Sequence, residues 1–298
     1  MRVLVAGASG FIGTELRKQL EADGHTVLTL VRRAPRTETE FEWSPTEKTV
    51  DARALESADA VINLAGATTG RLPWSRKYKR EILYSRVDGT TTLADAIVAA
   101  KNPPAVFLSG SAVGYYGDQP RVPLDESGSK GEGFLSDVVE AWERAAEIAA
   151  GATRVVMFRT GVVVGQGGAF TPLNLATKFG LGARMGHGSQ NWPWISLHDE
   201  AAAIRHLLTS SLTGVVNLAG PTPASSETIT SALARAMHRW HVLVVPTFAI
   251  RLLGDAGQDL LLNSQHVVPA KLLGDGFVFT HTTVEDAIEA MVERPSRA

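Results

Sequence analysis

No cysteine occurs among the 298 residues. Disulfides, thiolate-bound zinc, Fe–S clusters and a cysteine nucleophile are therefore excluded, and so is an extracellular disulfide scaffold. A dominant charge is missing too: 29 Lys and Arg face 31 Asp and Glu. That balance, with the basic residues scattered, gives no field favouring nucleic acid or an anionic membrane. Long apolar runs are lacking as well. No window reaches the ~18 consecutive apolar residues that a membrane helix needs; the run Val242 to Ile250 is short and holds Pro246. The opening stretch Met1 to Ala6 is too short for a signal-peptide core, so a cytoplasmic location is expected. What remains is a chain long enough to bury a large core and suited to a small neutral or anionic ligand.

Strand and helix patterns alternate along the first half. Val3–Ala6 reads as a buried strand, Phe11–Ala22 as a helix with Ile12, Leu16 and Leu20 on one stripe, and Thr26–Val31 as a second strand. Further strands are expected at Ala60–Leu64, Ala105–Leu108, Arg154–Phe158 and Gly214–Leu218, with helices at Arg76–Ala100, Phe134–Ala150 and His198–Leu208. This alternation predicts an α/β fold, a doubly wound parallel sheet covered on both faces. From Gly161 glycines and tryptophans crowd a segment that reads as loops around one short helix. Past Pro221, amphipathic pieces at Ser226–Arg239, Phe248–Leu262 and Val284–Val292 suggest a smaller lobe. The expected division is a nucleotide-binding part at 1–165 and 196–220, and a substrate lobe at 166–195 and 221–298.

Gly7-Ala8-Ser9-Gly10-Phe11-Ile12-Gly13 follows a predicted strand and opens a predicted helix. In that context glycines permit a tight turn and close approach of a pyrophosphate to the free N–H groups of the helix start, the signature of an NAD(P)-binding Rossmann fold. An NAD site usually carries Asp or Glu at the end of the second strand. Here Val31 is followed by Arg32 and Arg33, cations suited to the 2′-phosphate of NADP(H). The alternative for either arginine is a solvated loop charge.

These motifs, with Asn63-Leu64-Ala65-Gly66 and Ser109-Gly110-Ser111-Ala112-Val113-Gly114-Tyr115-Tyr116-Gly117-Asp118, resemble the extended short-chain dehydrogenase/reductase superfamily. More closely, the chain resembles its atypical branch, the epimerase family proteins described as nucleoside-diphosphate-sugar epimerases. Matching residues run almost end to end: Trp74, Lys79, Glu81, Ser85-Arg86, Trp142-Glu143, Arg159 to Val163, Trp194-Ile195, Asp199 and Gly276 to Phe279. The resemblance implies a small C-terminal lobe over the substrate cleft, with Val31, Arg32, Leu64, Ala65, Glu81, Arg86 and Val162 around the cofactor.

The superfamily's Tyr-x-x-x-Lys dyad is absent. Leu135 and Val139 stand at the corresponding places, and neither moves a proton. Relatives in the branch often carry a cysteine at the second place, so even that substitute is gone. Ser111 keeps the position of the catalytic serine but reads as having no base nearby. Tyr115 or Tyr116 is a candidate replacement acid or a stacking platform. Arg184, Gln190 and Trp194 are candidate substrate-binding residues, and Ser196 stands where the branch usually has a histidine. His238 and His241 form no metal pattern. Two functions are expected to compete: an NADP(H)-dependent oxidoreductase or epimerase-like enzyme acting on a small carbonyl, sugar or nucleotide sugar, and a catalytically inactive NADP-binding sensor or scaffold working through a protein partner, in cell division for instance. A homodimer is compatible with either.

Overall fold

The computed structural model describes residues 1–293; of the expected substrate lobe, 294–298 lie outside the described residues. In chain order the strands are β1 (Arg2–Ala6), β2 (Thr26–Val31), β3 (Glu40–Ser44), β4 (Thr49–Val50), β5 (Ala60–Asn63), β6 (Val106–Ala112), β7 (Gln119–Leu124), β8 (Arg154–Thr160), β9 (Val162–Val164), β10 (Gly182–Met185), β11 (Trp194–Ser196), β12 (Gly214–Leu218), β13 (His241–Val245) and β14 (Gln265–Val267). Eight form the main sheet in the order β12-β8-β6-β5-β1-β2-β3-β4. All its pairings are parallel except β3 with β4.

Burial on both faces explains the unbroken apolar runs. Val3 and Val5 pack with Ile62, Leu108 and Val156 beneath the helices Phe11–Ala22 and Leu197–Thr209, through Leu16, Leu20, Ile204 and Leu207. Leu4 and Ala6 face the other way, joining Leu28, Val61 and Phe107 under the helices Arg76–Ala99 and Phe134–Glu147. The chain leaves β1 toward β2 on one side, and β5 lies on the other. That reversal is the switch point of a doubly wound sheet, where ligands bind beyond the strands' C-terminal ends.

A second core belongs to the later segments. Phe170, Trp192 and Trp194 pack with Ile229, Leu233, Ile288 and Met291, so 166–195 and the helices Ser226–Ala236 and Val284–Glu293 share one apolar centre. The chain then crosses back: β14 pairs with β7, and Leu272 and Phe279 enter the core of the main sheet.

Three departures from the sequence reading have physical causes. The strands β6 and β8 run on through Ser109–Ala112 and Arg159–Thr160, because the sheet continues to pair residues whose composition reads as a turn. Phe248–Leu262 is not one helix; it breaks between Thr247–Arg251 and Asp255–Gly257 at Gly254, whose φ of +62° suits glycine. Three short strands, β9 to β11, occupy the glycine-rich segment expected to be loops.

Candidate cofactor cleft and active site

The glycines at the end of β1 are required by space. A Cβ on Gly13 would lie 2.2 Å from the Gly7 carbonyl oxygen, and one on Gly7, whose φ is +84°, would lie 2.9 Å from the Leu64 carbonyl carbon. The first glycine turn is thus pressed against the turn after β5. Gly10 is the N-cap of the Phe11–Ala22 helix, and no side chain caps it. The first N–H groups of that helix remain available to an anion. The Phe11 ring lies over Gly165, Gly167 and Gly168, where added Cβ atoms would come within 2.4, 2.5 and 3.0 Å of it. Those three glycines make room for the ring, and Ile12 packs beside it on the main core.

The Leu64-Ala65-Gly66 turn is held from below. The buried Asn63 accepts from the Ala65 N–H through Oδ1 and donates to Thr90 through Nδ2, and Trp142 Nε1 donates to the same threonine. Arg86 reaches this turn from the long helix: its Nη1 donates to the Ala67 carbonyl, its stem lies against Gly66, and its guanidinium sits 5.2 Å from the Trp142 ring centroid. Burial pulls its pKa down to about 10, which leaves it cationic at neutral pH. Glu81 lies just over one turn earlier on that helix, exposed and without a hydrogen bond to a described residue.

The two arginines after Val31 separate. Arg33 is clamped by Glu40, at 2.8 Å from Nη1 to Oε2 and 2.6 Å from Nη2 to Oε1. The Arg33 hydrogen bonds, helped by the Arg36 backbone N–H, hold the Glu40 carboxyl down at about 2. Arg32 is exposed and makes no hydrogen bond or ion pair among the described residues. The expectation that both cations await a phosphate is therefore corrected for Arg33, whose partner is protein.

A buried cluster stands at the end of β6. Ser111 and Arg159 are register partners on β6 and β8, and the Phe134–Glu147 helix packs on that face. Ser111 Oγ donates to Glu143 Oε1 at 2.6 Å. Arg159 clasps the same carboxylate, Nε to Oε1 at 2.7 Å and Nη2 to Oε2 at 2.8 Å. Ser111, Glu143 and Arg159 are 4%, 8% and 3% exposed, so these charge-assisted bonds act in a poorly solvated place. Burial works against the Arg159 cation, but the hydrogen bond and charge of Glu143 outweigh it and raise its pKa. Leu135, Val139 and Glu143 follow one another at four-residue intervals, hence along one stripe of the helix. The carboxylate thus stands one turn beyond the place of the missing lysine, and the reading that Ser111 has no base nearby is corrected, since Glu143 accepts its hydrogen bond.

The tyrosines part in the same way. Tyr116 is fully buried, its hydroxyl 2.7 Å from Asn217 Oδ1 and 2.9 Å from the Asp125 carbonyl oxygen. Burial raises its pKa. It is a packing residue, not a replacement acid. Tyr115 is half-buried, its ring centroid is 3.5 Å from the Arg159 guanidinium carbon, and its hydroxyl bonds no described residue.

Comparison with known proteins bears on this cleft. Residues 3–219 match the model of the NAD dependent epimerase/dehydratase family, and 245–291 match a domain of unknown function, DUF1731. The chain belongs to the NAD dependent epimerase/dehydratase family. It is 39% identical over 299 residues to an epimerase family protein of Mycobacterium leprae, covering 99% of this chain and 97% of that one. The epimerase family protein SDR39U1 of Homo sapiens is 34% identical over 301 residues, covering 98% of this chain and all of that one. A crystal structure of human SDR39U1 with NADPH superimposes with a TM-score of 0.90 at 31% identity, covering 98% and 99% of the two chains. UDP-glucose 4-epimerase of Thermus thermophilus, at 19% identity and a TM-score of 0.78 over 98% of each chain, shares the NAD(P)-binding Rossmann fold.

Within this epimerase-family fold two expected substrate residues are displaced. Trp194 is 1% exposed, its Nε1 bonded to the Thr222 carbonyl, and a Cβ on Gly220 would strike its ring. Gln190 is equally buried and ties the Met185 and Leu261 carbonyls together. Both build the lobe's core. Arg184 alone of the three is exposed. Ser196 caps the Leu197–Thr209 helix by accepting from the Asp199 N–H, and His281 stands 3.0 Å from its hydroxyl. Val162 opens β9, paired with Trp194 beyond the end of β8.

Proposed function

We propose that this chain is an NADP(H)-binding oxidoreductase or epimerase-like enzyme acting on a small carbonyl, sugar or nucleotide-sugar substrate. The observation that carries the reading is the Gly7–Gly13 turn, fitted against the Leu64–Ala65 turn at the sheet's switch point and leaving an uncapped helix start. The NADPH in the human SDR39U1 structure supports it. In this reading Gly7, Gly10, Phe11, Ile12 and Gly13 hold the pyrophosphate, Arg32 pairs with the 2′-phosphate, and Val31, Leu64, Ala65, Gly66, Glu81, Arg86 and Val162 line the remainder. A nicotinamide bound there supplies or takes up a hydride at a substrate carbon.

The serine's part follows from its bond. Because Glu143 accepts its single proton, Ser111 Oγ offers lone pairs to a substrate and holds a hydroxyl rather than donating to a carbonyl. Tyr115 keeps a free phenol beside it, and the lobe, of which 166–195 and 221–293 are described, closes the cleft with Arg184 among its exposed cations. The non-catalytic alternative has no comparable observation behind it.

Titration by fluorescence should show tighter binding of NADPH than of NADH, with the preference abolished in Arg32→Asp. Equal affinity of the parent protein for both would remove the cofactor assignment. NADPH oxidation screened over carbonyls and sugar nucleotides then addresses turnover, and a turnover indifferent to Ser111→Ala would discard the serine's role.

A further inference from the structure

Arg32, Arg33 and Arg36 all follow the end of β2 closely and are all exposed, but they are not equally free. Arg33 Nη1 and Nη2 each donate to Glu40, and Nη1 also donates to the Ala34 carbonyl at 2.9 Å. The side chains of Arg32 and Arg36 make no hydrogen bond or ion pair among the described residues.

Glu40 does more than neutralise its partner. It opens β3 as the register partner of Thr29, two residues before β2 ends, so it draws the Arg33 guanidinium back along the sheet from the strand end. The Arg36 N–H donates to Glu40 Oε2 at 2.7 Å, and one carboxylate thereby closes the turn from Arg33 to Arg36. Held down at about 2, chiefly by the Arg33 bonds, Glu40 stays ionised through neutral and mildly acid pH, and protonation does not open the clamp there.

The two side chains are 43% and 17% exposed. An exposed pair of this kind is modest in strength, so it restrains Arg33 without immobilising it. A guanidinium drawn from Glu40 to a phosphate exchanges one charge-assisted contact for another and gains little. Without the carboxylate the same phosphate contact becomes a net gain.

We infer that Glu40 determines how strongly this chain discriminates NADPH from NADH, by engaging Arg33 and so withholding a second guanidinium from the 2′-phosphate. In the parent protein Arg32 then discriminates alone. The inference rests on the cofactor reading above and deepens it at one residue. It has a kinetic side too, because affinity changes at one site fall mainly on the dissociation rate, so the restraint speeds release of NADPH.

Fluorescence titrations with NADPH and NADH at low salt test it, with thermal melting reporting the fold. Glu40→Gln should bind NADPH about fivefold more tightly than the parent and NADH with unchanged affinity. Stopped-flow displacement should show that gain as slower NADPH release. Arg33→Ala/Glu40→Gln should bind NADPH within about twofold of Arg33→Ala, because the gain needs the freed guanidinium. Glu40→Thr, whose side chain suits a strand, should behave as Glu40→Gln does and carries the test if that variant misfolds. NADPH affinity unchanged or lowered by loss of Glu40, a gain shared by NADH, or a gain that persists without Arg33 would each overturn the inference while leaving the cofactor reading intact. Equal affinity of the parent for both cofactors would remove that reading and this inference with it.

Discussion

The two ends of the cleft treat their polar groups in opposite ways. At the glycine turn the helix start is uncapped, Arg32 has no partner among the described residues, and the backbone closes so tightly that a Cβ on Gly13 has no room. At the end of β6, by contrast, Ser111, Glu143 and Arg159 bond one another, and Tyr116 is spent on Asn217. Open donors cost little where solvent reaches them and attract an anion. Buried ones are mostly paired internally before any ligand arrives, Arg159 Nη1 being left without a hydrogen-bond partner among the described residues. The first end thus offers what the proposed cofactor reading needs, open N–H groups and an exposed cation. The second is a preorganised electrostatic fixture whose sensitivity is to loss of its own members.

Substitutions at each end should fail differently. Gly13→Ala places a methyl group against the Gly7 carbonyl, and NADPH affinity should fall by ~100-fold or more, since a shift of the turn forfeits several phosphate contacts at about 1.4 kcal/mol per decade. A titration showing parent-like affinity would break the comparison at its strongest point. Glu143→Ala leaves Arg159 charged and buried without its counter-ion, and urea denaturation should register a loss of about 3–5 kcal/mol. Glu143→Leu combined with Arg159→Met should recover most of that stability, because a well-packed apolar pair replaces the ion pair. Turnover should not return with it. If Glu143→Ala unfolds at the parent midpoint, the cluster is not the fixture described. A smaller contrast sharpens the first end: Arg32→Ala should lower the NADPH-over-NADH preference about tenfold, and Arg33→Ala less than about twofold, because Glu40 already holds the second guanidinium.

Signals that lie within one segment were readable, and signals that need two were not. The β-α-β opening, the glycine turn and the Phe11–Ala22 helix follow from local periodicity, and the structure reproduces them. Arg32 and Arg33 are indistinguishable as neighbours in sequence; only the return of β3 alongside β2 brings Glu40 to one of them. The same holds for Glu143. Its stripe with Leu135 and Val139 is local, and four-residue spacing from the missing lysine was the available signal. That Ser111 and Arg159 converge on it depends on β6 and β8 extending through Ser109-Gly110-Ser111, which has turn composition. Trp194 and Gln190 misled because aromatic and amide groups beside glycines suit a ligand as well as they suit a small lobe's core.

One buried group makes the second end dependent on pH. Glu200, in the first turn of the Leu197–Thr209 helix, is fully buried. Its Oε1 accepts from Thr160, and its Oε2 has no partner. Burial pushes this carboxyl from 4.5 up to about 8, against the opposing pull of the threonine bond. The acid is therefore neutral in the folded protein when it is already ionised in the unfolded chain. Below pH 4.5 both states hold the proton and its full contribution is present. From there to about 8 the unfolded state sheds the proton, so stability falls as pH rises, by up to about 1.4 kcal/mol per unit. Carboxyls held below their usual range by partners, such as Glu40 and Asp275, act with the opposite sign but only at lower pH. Between pH 5 and 8, where histidines titrate as well, the difference in slope of the urea midpoints between the parent and Glu200→Gln reports Glu200. The parent protein should lose stability across that window, and Glu200→Gln, which cannot ionise, should flatten the slope; parallel slopes for the two would mean that Glu200 carries its charge in the fold and that the cluster's surroundings are wetter than its burial implies.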